Sequence, residues 1–228
     1  MKSITQLQNA QRSGFFVVGT DTGVGKTTFT RGLLRALRGN GHQPVPYKPV
    51  ETGVGEPEGT DAADLARAAQ TPLHLRQICP FSFPLPVAPV VAAAEQGIAL
   101  SVRALQNATP PGSPLVVESA GGLLSPLSAR QTNADVAEAF GLPVILVARN
   151  SLGTINHCAL ALAELRRRQL PVFALVLVNV APPGPDGGTN ARCIEDLCGV
   201  RPRLTLPFAP TATDDDLASF VADAGPWL

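Results

Sequence analysis

Apolar residues along this chain fall into two rhythms, short unbroken runs and longer stretches in which they recur every three or four positions. The runs Phe15-Phe16-Val17-Val18, Leu115-Val116-Val117 and Val144-Ile145-Leu146-Val147-Ala148, together with residues 172–180, read as strands buried on both faces. Residues 29–37, 60–70, 90–96, 101–106, 133–140, 154–168, 190–198 and 214–223 have helical spacing. Thr60 is expected to cap its helix with Asp61 and Asp64 in the first turn, and Asn133 to cap another. In 154–168 the apolar face is expected to hold or adjoin Ile155, Leu160, Leu162 and Leu165. Residues 203–206 suggest a short strand.

Between these elements, prolines punctuate. Pro44, Pro46 and Pro49 confine 44–50 to a short or edge strand that ends in Glu51-Thr52-Gly53. Residues 79–89 hold four prolines and read as a fixed extended loop; 54–59 reads as a mobile loop, 1–12 as frayed and Trp227-Leu228 as a loose end. Alternating strands and helices long enough to cross over predict an α/β chain, a single domain of three α/β/α layers around a mostly parallel sheet with right-handed connections. No internal repeat interrupts the pattern.

Composition changes this picture little. With 45% apolar and 16% charged residues the chain has ordinary globular chemistry, and its 228 residues suffice for a full core. Eighteen basic and 18 acidic residues leave no net charge, so no nucleic-acid footprint is expected, and no apolar run reaches membrane-spanning length. Cys79, Cys158, Cys193 and Cys198 form no C-x-x-C pair, which with the absence of a leader predicts reduced thiols and a cytoplasmic location. The one basic run, Arg166-Arg167-Arg168, falls at a helix end, where it complements the helix dipole.

The chemistry begins after the first strand. Gly19-Thr20-Asp21-Thr22-Gly23-Val24-Gly25-Lys26-Thr27-Thr28 joins a strand to a helix, and its glycines let successive amides turn toward an anion at the helix N-terminus. Lys26 is placed to reach terminal phosphates and Thr27 to hold Mg²⁺, although the first glycine sits one residue earlier than in G-x-x-x-x-G-K-[ST]. Lys48 either neutralises an anion or is solvated; Asp61 either binds metal or caps its helix. Glu118 follows a buried run and needs a partner or a metal, while Gly121 and Gly122 either approach a ligand or turn the chain. Asn179 either reads a base edge or forms a turn. His42, His74 and His157 have no nucleophile beside them, so covalent catalysis has little support.

Taken in order, the phosphate loop, Lys48-Pro49-Val50-Glu51-Thr52-Gly53, Thr60-Asp61-Ala62, Glu118-Ser119-Ala120-Gly121-Gly122 and Leu152-Gly153-Thr154-Ile155-Asn156-His157 resemble the dethiobiotin synthetases, over most of the chain from Gly14 to Pro207. The shifted glycine is typical of that family. The resemblance implies a P-loop NTPase fold and an ATP- and Mg²⁺-dependent ligase that makes dethiobiotin from 7,8-diaminopelargonate and CO₂ through a carbamate and a carbamic–phosphoric anhydride. It implies that Asp21, Thr22, Gly23, Val24, Gly25, Lys26, Thr27 and Thr28 bind nucleotide, with Pro207 and Phe208 on the adenine side; the adenine-reading position falls at Val178 or Asn179 according to the register from Pro182-Pro183, and Asn179 is taken. Thr27, Asp61 and Glu118 would hold magnesium; Lys26, Lys48, Thr22 and Thr52 would act around the transferring phosphoryl group. Lys48, Thr52 and Gly121 would face the diamine, whose carboxylate would meet Gly153, Thr154, Ile155 and Asn156 of a second subunit in a homodimer. Ser119 stands where the family often has glycine, and Gly23 where some members have an acid. Two rivals share the loop: ParA/MinD-like ATPase switches, which carry a lysine at the position of Asp21, and cobyrinate-synthase-like amidoligases, which add a glutaminase domain.

Overall fold

A computed structural model describes residues 13–56 and 59–227. The expected frayed segment 1–12, part of the 54–59 loop and Leu228 lie outside the described residues. Six strands form the central sheet: β1 (Gly14–Gly19), β2 (Val45–Tyr47), β5 (Leu115–Gly122), β6 (Val144–Arg149), β7 (Val172–Val178) and β8 (Leu204–Leu206), in the order β2-β5-β1-β6-β7-β8. Every ladder is parallel. Two further strands, β3 (Val50–Thr52) and β4 (Phe81–Phe83), pair in parallel beside it.

Successive residues of the central strands face opposite layers, which is why these strands read as unbroken apolar runs. Phe15, Val17, Val116 and Val147 pack against Phe29, Leu33 and Leu37 of α1 (Lys26–Gly39) and Leu65 of α2 (Asp61–Ala69). Phe16, Val18, Val117 and Leu146 face the other layer. There they meet Leu105 of α5 (Val102–Asn107), Phe140 of α6 (Asn133–Phe140), Leu162 of α7 (Thr154–Arg167) and Ile194 of α8 (Asn190–Cys198). The short α3 (Leu75–Ile78) and α4 (Pro89–Glu95) flank β4, and α9 (Asp214–Asp223) lies along α1, joined by Arg31–Asp214 and Arg35–Asp215 ion pairs.

The structure corrects the sequence reading at several points. The 44–53 segment is two strands in two sheets, β2 at the sheet edge and β3 outside it. Within 79–89, Phe81-Ser82-Phe83 contains no proline and pairs with β3 as β4. Leu75–Ile78 is a helical turn the periodicity does not reveal. The cap of α6 is Thr132, which shares a reciprocal hydrogen-bond box with Asp135; Asn133 is the first helical residue and its Nδ2 instead donates to the Ala120 and Gly122 carbonyls at 2.6 and 2.8 Å. Leu160 turns to solvent, 64% exposed. Trp227 is no loose end: it is 5% exposed, packs on Phe15, Phe29 and Phe173, donates to the Val221 carbonyl and stacks on Arg203. Thr60 does cap α2, accepting from the Ala63 amide. The 166–168 arginines also pair laterally, Arg168 reaching Glu164, Asp135 and Glu138.

Candidate active site

The carboxyl ends of β1 and β5 meet where Gly19 faces Gly122, and the loop after β1 rises there into α1. Gly25 precedes that helix with φ 93, and a Cβ on it would stand 2.6 Å from Val178 Cγ1, so only glycine lets the loop press on β7. At Gly23, φ is 68 and the space around a Cβ is open apart from Arg149, so conformation rather than crowding selects glycine there. Asp21 accepts the Thr22 amide at 2.7 Å and braces the loop, while Val24 packs into the core.

Lys26 opens α1, 6% exposed, and its Nζ donates to the Asp21 carbonyl at 3.0 Å. Burial, reinforced by the nearby charge of Lys48, lowers its pKa to about 8 against the opposing pull of Glu118, Asp61 and Asp21. Thr27 donates through Oγ1 to Glu118 Oε1 at 2.9 Å. Glu118 lies inside β5, one residue beyond the apolar run and still within the strand, and is fully buried.

Lys48 sits in the short link from β2 to β3 and is 3% exposed, which rules out the solvated reading. Its Nζ lies 2.7 Å from Glu118 Oε1 and 2.8 Å from Asp61 Oδ2. Burial alone would lower its pKa, but Glu118 and Asp61 outweigh it and hold Lys48 above the usual lysine range. For Asp61 burial pushes upward and the Lys48 ammonium prevails, so its pKa is lowered. Asp61 is the first residue of α2, whose cap is Thr60, and its carboxylate turns to Lys48.

Sequence reasoning missed Glu51. Its carboxylate accepts the Asp61 amide at 2.6 Å and the Ala62 amide at 3.2 Å, so a residue of β3 caps α2 and fixes the backbone that carries Asp61. Burial raises the Glu51 pKa. The acid in Lys48-Pro49-Val50-Glu51-Thr52-Gly53 was visible, but the long-range contact was not encoded in any local spacing.

Thr22, Gly23, Gly25, Lys26, Thr27, Thr28, Lys48, Glu51, Thr52, Asp61, Ala120, Gly121 and Val180 line one cavity of about 430 Å³. A second cavity of about 410 Å³ shares Thr22, Thr52, Ala120 and Gly121 with it and is otherwise walled by Pro86, Val87, Ala88, Pro89, Ser125 and Pro126. A space lined by two lysines therefore adjoins one walled mainly by prolines and other apolar residues.

Thr27, Asp61 and Glu118 converge through Lys48 Nζ and Glu118 Oε1. Glu118 Oε2 is buried and has no hydrogen-bond partner among the described residues. A hard divalent cation with oxygen ligands fits that orphaned atom and this donor set.

Other expected positions lie apart from this cavity. Asn179 follows β7; its amide donates to the Leu206 carbonyl at 3.0 Å, which brings it beside Pro207 and Phe208, and its Oδ1 accepts from Asn150 Nδ2 at 2.9 Å. None of the three lines the large cavity. Gly153, with φ 93, opens α7, followed by buried Thr154 and by Ile155 and Asn156. This segment also stays outside the large cavity of its own chain; Thr154 instead lines a space of about 110 Å³ with Asp21, Arg149, Ser151 and His157 on the other side of the phosphate loop.

Residues 13–215 match the model of an AAA domain family. The ATP-dependent dethiobiotin synthetase BioD of Anaeromyxobacter dehalogenans strain 2CP-C is 44% identical over 86% of this chain and 91% of that protein. The enzymes of the same name from Sphingopyxis alaskensis and Xanthomonas campestris pv. campestris strain 8004 are 38% and 35% identical, over 90% and 92% of this chain and 93% and 98% of their own lengths. Matches of this extent, carried by a chain whose phosphate loop, Lys48 and Asp61 line one cavity with Glu118 buried behind Lys48 and Thr27, establish that it belongs to the ATP-dependent dethiobiotin synthetase family.

Proposed function

We propose that this chain is a single-domain cytoplasmic enzyme that closes the ureido ring of dethiobiotin from 7,8-diaminopelargonate, CO₂ and ATP, releasing ADP and phosphate. The observation that carries this reading is the meeting of Lys26 and Lys48 at a cavity that adjoins, at Thr22, Thr52 and Gly121, a second and more apolar one. Two cations at one end suit a triphosphate, and the apolar space beyond suits a diamine with a hydrocarbon tail.

In this reading one amine of the substrate has taken up CO₂ as a carbamate. A carbamate oxygen attacks the γ-phosphorus, the bond to the β–γ bridging oxygen breaks, and ADP leaves. The second amine then attacks the carbamoyl carbon, the carbon–oxygen bond to phosphate breaks, and phosphate departs with the amine proton. Neither step needs a protein nucleophile. Lys26 and Lys48 would offset charge as it spreads over the transferring group, Thr22 and Thr52 would orient the carbamate, and the amides of residues 22–28 would hold the phosphates. Thr27, Asp61 and Glu118 would hold Mg²⁺, which when bound neutralises triphosphate charge.

Asn179, with Pro207 and Phe208 beside it, is read as the adenine side. The substrate carboxylate is read as meeting Gly153, Thr154, Ile155 and Asn156 of a second subunit, at the N-terminus of a 14-residue helix. Support for a homodimer comes from exposed Leu152 just before that helix, from exposed Leu160 and Leu124, which line one cavity with His157, and from the absence of residues 153–156 from the cavity of the phosphate loop. The ParA/MinD-like switch is not favoured, because Asp21 occupies the position of its lysine.

Incubation with diaminopelargonate, bicarbonate and MgATP, followed by mass analysis, tests the reading. Dethiobiotin that requires all three supports it. ATP hydrolysis at one rate with and without the diamine, and no dethiobiotin, would overturn it.

A further inference from the structure

Behind Asn179 runs a chain of side-chain amides that the proposed chemistry does not use. Asn150 follows β6 and is 6% exposed; Asn190 opens α8 and is 3% exposed. Asn190 Nδ2 donates to Asp186 Oδ2 at 3.3 Å and to Asn150 Oδ1 at 2.9 Å. Asn150 Nδ2 donates to the Gly187 carbonyl at 3.1 Å and to Asn179 Oδ1 at 2.9 Å.

The direction of this chain is fixed from its far end. A carboxylate and a backbone carbonyl only accept, so Asp186 determines which way the Asn190 amide faces and Gly187 determines it for Asn150. The remaining Asn150 hydrogen then needs an acceptor, and Asn179 must offer Oδ1. A reversed Asn179 amide would set donor against donor. Asn179 is left with its Nδ2 hydrogens and the second lone pair of Oδ1, a donor and an acceptor of set handedness.

We infer that Asn150 and Asn190 are positioning residues that lock the polarity of the Asn179 amide and thereby select adenine over guanine nucleotides. The inference rests on the proposed reading of Asn179 as the base reader. Adenine offers an amino donor beside the N7 acceptor, which an amide of one handedness matches in two hydrogen bonds; guanine offers two acceptors there, and the Asn179 Oδ1 would face one of them.

The test compares kcat/KM for ATP and GTP in the full-length protein at saturating diamine and bicarbonate, with thermal melting of each variant. Asn150→Asp converts the donor to an acceptor and turns the Asn179 amide around; the ATP-to-GTP ratio should fall at least tenfold through KM for ATP. Asn150→Leu, which removes the donor at similar volume, should lower the ratio several-fold, and Asn190→Ala, which removes one of the two bonds that orient Asn150, should lower it less; Asn150→Leu decides the matter if Asn150→Asp does not fold. Asn179→Ala separates the two layers of the argument. If it abolishes selectivity while Asn150→Leu and Asn190→Ala keep the wild-type ratio, the relay is refuted and the base reader stands. If Asn179→Ala itself keeps the wild-type ratio, the base-reading assignment fails and the relay with it.

Discussion

Lys48 carries a charge into a space where 3% of the residue meets solvent, held between the Glu118 and Asp61 carboxylates. Removing one member of such a set strands the others without compensation, at a cost of about 3–5 kcal/mol. Lys48→Ala should therefore lower the unfolding free energy by that amount as well as abolish turnover. Adding Glu118→Gln should recover much of the stability and none of the activity, a separation that urea denaturation and the product assay together measure; equal recovery of both would make the cluster purely structural. Lys26 makes a pH prediction. Its pKa in the folded chain is about 8, against 10.5 for an ordinary lysine, so between those values the unliganded folded state binds fewer protons than the unfolded state. Stability linked to Lys26 therefore increases as pH rises through that window. Nucleotide binding behaves in the opposite sense: phosphates favour the ammonium, so affinity should weaken above about pH 8, with proton uptake on binding. Calorimetry in buffers of different ionisation enthalpy checks this, and pH-independent binding between 7.5 and 9.5 would contradict it.

At the scale of elements, the site depends on strand ends and helix starts being tied across the sequence. Glu51 in β3 caps α2 and so sets where Asp61 points. Glu51→Ala should cost about 1 kcal/mol, the usual worth of a helix cap, and should raise the Mg²⁺ concentration needed for half-maximal turnover. A Mg²⁺ requirement unchanged in that variant would show that Asp61 is positioned without it. This tie also marks where sequence reasoning ends. The helices 190–198 and 214–223 and the strand cores were legible because periodicity and composition are local properties. So was the loop from Gly19 to Thr28, because glycines and Lys26 need only each other's spacing. The burial of Lys48, the reach of Glu51 to Asp61, the Asn190-Asn150-Asn179 relay and the seating of Trp227 are long-range contacts with no local periodicity. The β3–β4 pair was missed because Pro80 and Pro84 hid three strand residues between them.

At the scale of the whole molecule, the parallel sheet delivers the carboxyl ends of β1 and β5 and the link after β2 to one side, where the two cavities adjoin. None of residues 153–156, the expected carboxylate-binding segment, lines either of these cavities, and Leu152 and Leu160 on either side of it in the chain are exposed. Leu152→Asp with Leu160→Asp should shift sedimentation toward monomer and raise KM for the diamine while nucleotide binding persists. A variant that sediments as monomer with wild-type diamine kinetics would remove the second subunit from the site.

Passage of oxygen from CO₂ to phosphate tests the central claim most directly, because only attack by a carbamate oxygen on the γ-phosphorus creates that bond. With freshly dissolved ¹⁸O-labelled CO₂, 7,8-diaminopelargonate and MgATP, sampled before the label exchanges with water, the released phosphate should carry one labelled oxygen per dethiobiotin formed. Dethiobiotin accompanied by unlabelled phosphate would contradict the account.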